Sequence, residues 1–449
     1  MKLGLDLERL ADAAGGKLLA GDPRAAFDSF VLDSRSLKAG EYFWALAGEK
    51  HDAHAFLAGT LKASPAGWIC REDRLPAGPR PPAVVAVKDT LKALQALAAF
   101  HRRRFSPVVA AVTGSNGKTT VKEMLRSIFA RGGPVCSNAG NFNNQFGLPL
   151  SLLELGAEHR RAVFELGASR RGDVREIAEL AAPDIAVVTT IAPEHLEFFG
   201  DMEAVFETET EVLDCLAPGG TFVYNADDER LRALGVRPET KLSFGTGPGA
   251  DARAESRADG FYLAFRSRSL PVRLPSDAAH NRLNAAAAFA AALAAGFSPQ
   301  EAVDGLEAYS PPPMRMQELT IAGSRVLLDA YNANPQSMAA ALAAAAAARS
   351  PRYLALGDMK ELGRFSEKYH RELAALISAA GPAKVFLGGP EMRAAADELA
   401  ARFPSVKTVH ADDPSVWRDE FRHLVSAGDG FFLVKASRSM RFENLLEGL

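Results

Sequence analysis

The stretch Val108-Val-Ala-Ala-Val-Thr-Gly-Ser-Asn-Gly-Lys-Thr-Thr120 decides the fold. Its apolar half, Val108–Val112, predicts a buried strand, and beyond the stretch Val121, Met124, Leu125, Ile128 and Phe129 recur at helical spacing. A glycine-bearing loop between a strand and a helix is a phosphate cradle. Gly114 and Gly117 let the backbone amides around Ser115 and Asn116 curl about an anion. The helix N-terminus adds positive potential, Lys118 reaches the outer phosphates, and the Thr119-Thr120 pair brings the Thr119 hydroxyl to magnesium. Val112 stands where the usual phosphate-loop pattern has its first glycine, and Gly114 supplies the alternative.

Outward from the loop, short apolar runs alternate with amphipathic stretches. Ala162–Phe164 and Ile185–Thr190 follow on one side. Later, Val326–Asp329, Tyr353–Leu356, Lys384–Leu387 and Phe431–Val434 repeat the pattern, which implies parallel α/β sheets in both parts. Proline clusters mark the seams: Pro76, Pro79, Pro81 and Pro82, then Pro311–Pro313. The expectation is an α/β protein of three domains. Residues 1–83 form a mixed α/β domain, residues 84–311 a phosphate-loop parallel-sheet domain, and residues 312–449 a Rossmann-like domain.

The 449 residues exceed one ordinary core. A net charge of −3 argues against a general nucleic-acid binder. No run reaches the ~20 apolar residues that span a bilayer, and the alanine run Ala339–Ala348 is too short. Cys70, Cys136 and Cys215 form no metal spacing and fit a reducing compartment. The reading is a cytoplasmic monomer without stable membrane insertion.

The loop variant Thr-Gly-Ser-Asn-Gly-Lys-Thr-Thr resembles that of the Mur ligase family and its folylpolyglutamate synthetase relatives. Further matches run along nearly the whole chain: Asp33-Ser-Arg35, Asn141-Phe-Asn-Asn-Gln-Phe-Gly-Leu-Pro149, Glu165-Leu-Gly-Ala-Ser169 and His195-Leu-Glu197. They continue through His280-Asn-Arg-Leu-Asn284, Asp329-Ala-Tyr-Asn-Ala-Asn-Pro335, Gly357-Asp-Met-Lys-Glu-Leu-Gly363 and Val434-Lys-Ala-Ser-Arg438. Their order is that of the member which adds D-alanyl-D-alanine. The resemblance therefore implies ATP-dependent joining of D-alanyl-D-alanine to UDP-N-acetylmuramoyl-tripeptide through an acyl phosphate, with two magnesium ions. The first domain would bind the UDP-muropeptide, the second ATP, and the third the incoming dipeptide. Two other readings compete. One is a sibling that adds a diamino acid, whose Asp-Asn-Pro-Arg acceptor signature is absent here. The other is a non-catalytic nucleotide-binding scaffold, against which Lys118, Thr119, Glu165 and His195 stand together.

The resemblance also implies residue roles. Glu165, at the end of an apolar strand, and Thr119 would meet one magnesium ion, and His195 a second near the γ-phosphate. Asn281 and Asn284 would approach the adenine side, Arg315 the ATP and Asp329 the ribose. Ser34 and Arg35 would face the uridine end. Asn144, Asn332, Asn334 and Asp358 would face the muropeptide or the dipeptide, with Lys360 and Glu361 beside them. Lys435 and Arg438 read equally as surface charges.

One departure is informative. Relatives carry a lysine, carbamylated by carbon dioxide, about fourteen residues after the histidine; here that position is Glu209. Met202, Val205, Phe206, Val212, Leu213 and Leu216 form one helical stripe, and at ~100° per residue Glu209 falls near its centre. Glu207 and Glu211 fall on the other side. An inward acid is costly unless paired or metal-bound. The expectation is that Glu209 directly supplies the carboxylate that the modified lysine supplies elsewhere; the alternative is pairing with an arginine.

Overall fold

A computed structural model describes residues 3–48, 51–234, 240–276, 278–349 and 351–449. The chain packs as two compact units. The first comprises Met1–Ala111, Gly133–Gly167 and Arg175–Pro183, and the second Val112–Gly132, Ala168–Val174 and Asp184–Leu449.

In the first unit, the β-branched and aromatic runs near the start pair into a five-stranded sheet. Its order is Lys17–Ala20, Ala83–Val87, Gly67–Arg71, Tyr42–Trp44 and Phe30–Val31. The first pairing is antiparallel and the other three parallel. Phe43, Leu57, Trp68 and Val84 fill its core with no exposed surface. Asp89 starts the helix Thr90–Arg102 by accepting the N–H groups of Leu91 and Lys92. Further along, Val135–Ser137 pairs in parallel with Arg161–Glu165, which places Glu165 at a strand end as its sequence predicts.

In the second unit, Ile185–Val188, Thr221–Asn225, Thr240–Gly245 and Ala252–Arg257 pair in parallel. Gly260–Phe265 and Arg268–Pro271 then continue antiparallel. The helix Ala279–Ala294 packs against these strands and against the phosphate-loop helix Lys118–Phe129. Eight consecutive residues of it, Ala285–Ala292, are fully buried, because alanine and one phenylalanine allow close approach on every side. This helix starts at Ala279, so Asn281 and Asn284 lie within its first turns and Ala278 is the cap.

The last 130 or so residues form a six-stranded sheet in the order Gln317–Ile321, Ser324–Leu328, Phe431–Lys435, Arg352–Gly357, Lys384–Gly388, Thr408–Ala411. Only the first pairing is antiparallel. Hydrophobic cores cover both faces, Leu354, Leu356 and Leu433 on one side and Ala355, Phe386 and Phe432 on the other. Continuous apolar strands are what a doubly covered parallel sheet demands.

Candidate active site

The phosphate loop keeps two glycines in left-handed backbone, and each is also sterically required. Gly114 has φ +111°, and a β-carbon there would stand 2.3 Å from Thr189 Oγ1; Gly117 has φ +86° and faces Asn284 Oδ1 at the same distance. Asn284 therefore lies against the loop from inside its helix. The loop's first amides are spoken for within the protein. Gly114 N–H donates to Glu209 Oε2 at 2.6 Å, Ser115 N–H to the Thr190 carbonyl at 2.7 Å, and Asn116 N–H to Thr190 Oγ1 at 3.2 Å. Ser115 Oγ donates to the Ala192 carbonyl and accepts the Ala192 N–H. Anion binding is thus left to the start of the helix at Lys118, where Gly117 supplies no side-chain cap and the helix dipole is positive.

Lys118 donates to the Gly114 carbonyl and stands 3.4 Å from Glu194 and 3.9 Å from Glu209. Both glutamates are buried, with 5% and 1% exposure. Burial pushes the Glu194 carboxyl up to about 7; Lys118 opposes the rise and the charge of Glu209 adds to it. Glu209 faces inward, as the helical stripe of Met202–Thr210 requires, and its partners are Lys118 and the loop amide rather than an arginine. Glu207, on the outer face, pairs with Arg171.

His195 occupies left-handed backbone (φ +48°) at the head of Leu196–Phe199. Burial opposes its charged form, but Glu361 and Glu194 outweigh that and raise its pKa above the ordinary value. Asn116 reaches the start of the helix Pro335–Ala347: its Oδ1 accepts Asn334 Nδ2 at 2.9 Å, and its Nδ2 donates to Gln336 Oε1 at 2.6 Å. Asn334 also caps the helix Pro335–Ala347.

Around the expected nucleotide side, Arg315 lies over the Tyr331 ring, 4.0 Å from its centre. Asp329 accepts Lys435 Nζ at 2.5 Å and the Met316 N–H at 3.1 Å. Lys435 also donates to the Asn332 carbonyl and is 1% exposed, so the surface reading of this lysine is wrong. Arg438 pairs with Glu443 and is half exposed, as a surface charge would be. Asn281 Nδ2 makes a long contact to the Ser276 carbonyl, 3.5 Å. Asp358 is fully buried and accepts Lys360 Nζ at 2.7 Å and the Met392 N–H at 2.9 Å.

In the first unit, Glu165 is 3% exposed. Its Oε1 accepts Asn143 Nδ2 at 2.7 Å, and Asn138 bonds both its N–H and its carbonyl. Asn144 instead accepts the amides of Phe146 and Gly147 at the start of a helix. Arg35 forks onto Asp33 at the surface, and that hydrogen bonding holds the Asp33 carboxyl down at about 2; Ser34 beside them is half-buried.

The donor set suits a hard cation that also binds phosphate. Among the described residues, Glu194 Oε1 and Glu209 Oε1 are buried oxygens without a hydrogen-bond partner of regular geometry. Among the described residues no group of three or more His, Cys, Asp or Glu forms a dedicated cage, and magnesium bound with nucleotide needs only one or two carboxylates. Three groups lay outside the sequence reading: Glu194, Gln336 and the pairing of Glu361 with His195. For Glu194 the signal was available, an acid following a buried strand and adjoining the histidine.

The Mur ligase middle domain model matches residues 112–292, and the Mur ligase, glutamate ligase domain model matches residues 314–438. The chain is 33% identical to the UDP-N-acetylmuramoyl-tripeptide–D-alanyl-D-alanine ligase of Bacillus subtilis over 426 residues, 93% of this chain and 92% of that one. MurF from Acinetobacter baumannii superposes with a TM-score of 0.90 at 30% identity, covering 99% of this chain and 98% of that one. MurF from Thermotoga maritima in complex with ADP gives 0.81 at 29% identity, covering 93% and 96%.

Proposed function

This chain belongs to the Mur ligase family and has its three-domain α/β fold, and from that premise we propose the reaction and the residues that carry it. The protein is an ATP-dependent ligase that joins D-alanyl-D-alanine to UDP-N-acetylmuramoyl-tripeptide, in peptidoglycan synthesis. It works in the cytoplasm as a monomer. Residues 1–83 take the UDP-muropeptide through Ser34 and Arg35, residues 84–311 take ATP, and residues 312–449 take the dipeptide.

Making an amide from a carboxylate at neutral pH requires a better leaving group than oxide. The γ-phosphate of ATP passes to the muropeptide carboxylate and forms an acyl phosphate. The free amine of D-alanyl-D-alanine attacks the acyl carbon, and the tetrahedral species expels phosphate. Lys118 and the uncapped helix start offset the negative charge that gathers on the phosphoryl oxygens. Asn116, Asn284 and Asn334 shape the loop side of the ATP site, and Arg315, Asn281 and Asp329 the nucleoside side. Magnesium, when bound, screens phosphate charge; Thr119, Glu165, His195 and Glu209 are the residues that would hold two such ions.

The observation that carries this reading is Lys118 at the head of an uncapped helix between two buried glutamates. The test is phosphate release from ATP with UDP-N-acetylmuramoyl-tripeptide, with and without D-alanyl-D-alanine. Release that is indifferent to the dipeptide would refute the assignment.

A further inference from the structure

Two residues of the second unit adopt strained backbone where they meet. His195 has φ +48° and Glu361 has φ +65°. Left-handed geometry costs a residue with a β-carbon about 1–2 kcal/mol, so surrounding contacts must hold both in place. Three contacts do so. The Glu361 carbonyl accepts the Glu197 N–H at 3.0 Å. The Glu361 carboxylate lies 2.5 Å from His195 Nδ1, short but without regular hydrogen-bond alignment. Gly363, itself at φ +53°, is so close that a β-carbon would stand 3.0 Å from Glu197 Cα. Phe365 and Tyr369 pack beside the clamp on the cluster of Leu196, Phe199 and Val205.

The clamp has different surroundings on its two sides. Glu194, next to it in the chain, and Lys118 of the phosphate loop act electrostatically on His195. On the other side, Glu361 and Glu197 belong to the wall of an open pocket of about 530 Å³, together with Arg371, Glu391 and Arg393. Glu367 and Asp397 line the same wall, and Arg371 and Arg393 already pair with Glu367 and Asp412, so what this wall fits is the ammonium of a zwitterion. A single carboxylate therefore touches the imidazole and the pocket at once.

We propose that Glu361 is the positioning residue for His195, fixing Nδ1 as the protonated nitrogen of the neutral ring so that the Nε2 lone pair is left for the phosphate centre, and that the dipeptide's ammonium docks against this same carboxylate. A histidine that serves a metal or phosphate site commonly donates its other N–H to such a carboxylate, and loss of the partner costs about 10- to 100-fold in affinity or activity. The proposal rests on the ligase reading and names the residue that joins its two halves.

The test uses the full-length protein labelled with ¹⁵N-histidine, and it begins without ligands. Long-range ¹H–¹⁵N correlation, recorded at a pH above the raised His195 pKa so that the ring is neutral and with the His195 signals assigned through His195→Gln, reports which ring nitrogen carries the proton. The wild type gives the Nδ1–H pattern. Glu361→Gly removes the carboxylate and relieves the left-handed strain together, so its melting temperature holds or rises. Yet His195 shifts toward the Nε2–H form, kcat falls at least about ten-fold and KM for the dipeptide rises, while KM for ATP stays within about two-fold. Glu361→Gln, which keeps an acceptor, falls between the two. An Nε2–H pattern in the wild type overturns the proposal, and so does Glu361→Gly with an unchanged tautomer and kcat. If the tautomer shifts as described but the wild type releases phosphate without regard to dipeptide, the ligase reading fails and the positioning role stands.

Discussion

Glu209 accepts the Gly114 N–H through Oε2 at 2.6 Å, and its Oε1 lies 3.9 Å from Lys118 Nζ. The acid is thus fastened to the phosphate loop itself, and no carbon dioxide adduct is needed to place a carboxylate beside Lys118. Phosphate release by the wild type is expected to be the same in bicarbonate-depleted and bicarbonate-supplemented buffer. Glu209→Gln retains an acceptor for the Gly114 amide but loses the charge, and turnover should fall about 10- to 100-fold with little change in melting temperature. Strong bicarbonate dependence of the wild type would sink the direct-carboxylate role.

Gly117 has no room for a side chain, since a β-carbon would meet Asn284 Oδ1 at 2.3 Å and the residue sits at φ +86°. Gly117→Ala should raise KM for ATP about ten-fold, the equivalent of the ~1–2 kcal/mol that left-handed alanine costs. Adding Asn284→Ala removes the clash but not the backbone cost, so the double variant should recover only part of the affinity. Full recovery would mean that the loop has no need of left-handed backbone at this point.

The legible parts of this protein were those written in local pattern. The strand, loop and helix around Lys118 could be read because apolar runs, glycines and helical spacing are contiguous, and Glu209 faced inward because 3.6-residue periodicity carries its own direction. Glu361 against His195 was not legible, because two segments far apart in sequence create that contact. For Lys435 the sequence left the surface reading at even odds; it is buried because Asp329, just past the end of the neighbouring parallel strand, stands at the same level.

The Lys435–Asp329 pair makes a thermodynamic prediction separable from function. Both side chains are largely buried, with 2% and 14% exposure. Removing one partner strands the other charge, so Lys435→Met should destabilise the protein by about 3 kcal/mol in urea unfolding. Replacing both, as Lys435→Met with Asp329→Leu, should restore most of the stability. ATP affinity should not return with it, because Asp329 belongs to the proposed ribose contact. Recovery of both together would remove Asp329 from the nucleotide site.

His370 gives the pH dependence of the loop that carries Glu361. It is fully buried; its Nε2 accepts the Met359 N–H at 3.0 Å and its Nδ1 donates to the Ser366 carbonyl at 2.8 Å. That arrangement requires the neutral ring. Burial holds its pKa below the ordinary 6.5, outweighing the upward pull of the Ser366 carbonyl and of Glu391 and Asp358. Below that pH the unfolded chain binds a proton that the folded chain refuses, so the unfolded state is favoured as acid is added. The contribution is present above pH 6.5 and is lost as the pH falls toward the depressed folded value. Melting temperatures measured from pH 7.5 down to about 5.5 should therefore fall more steeply for the wild type than for His370→Gln, whose neutral amide can still accept the Met359 N–H. Equal slopes for the two proteins would show that His370 protonates in the folded state as readily as in the unfolded one, and the neutral-ring account of the Met359 bond would fall with it.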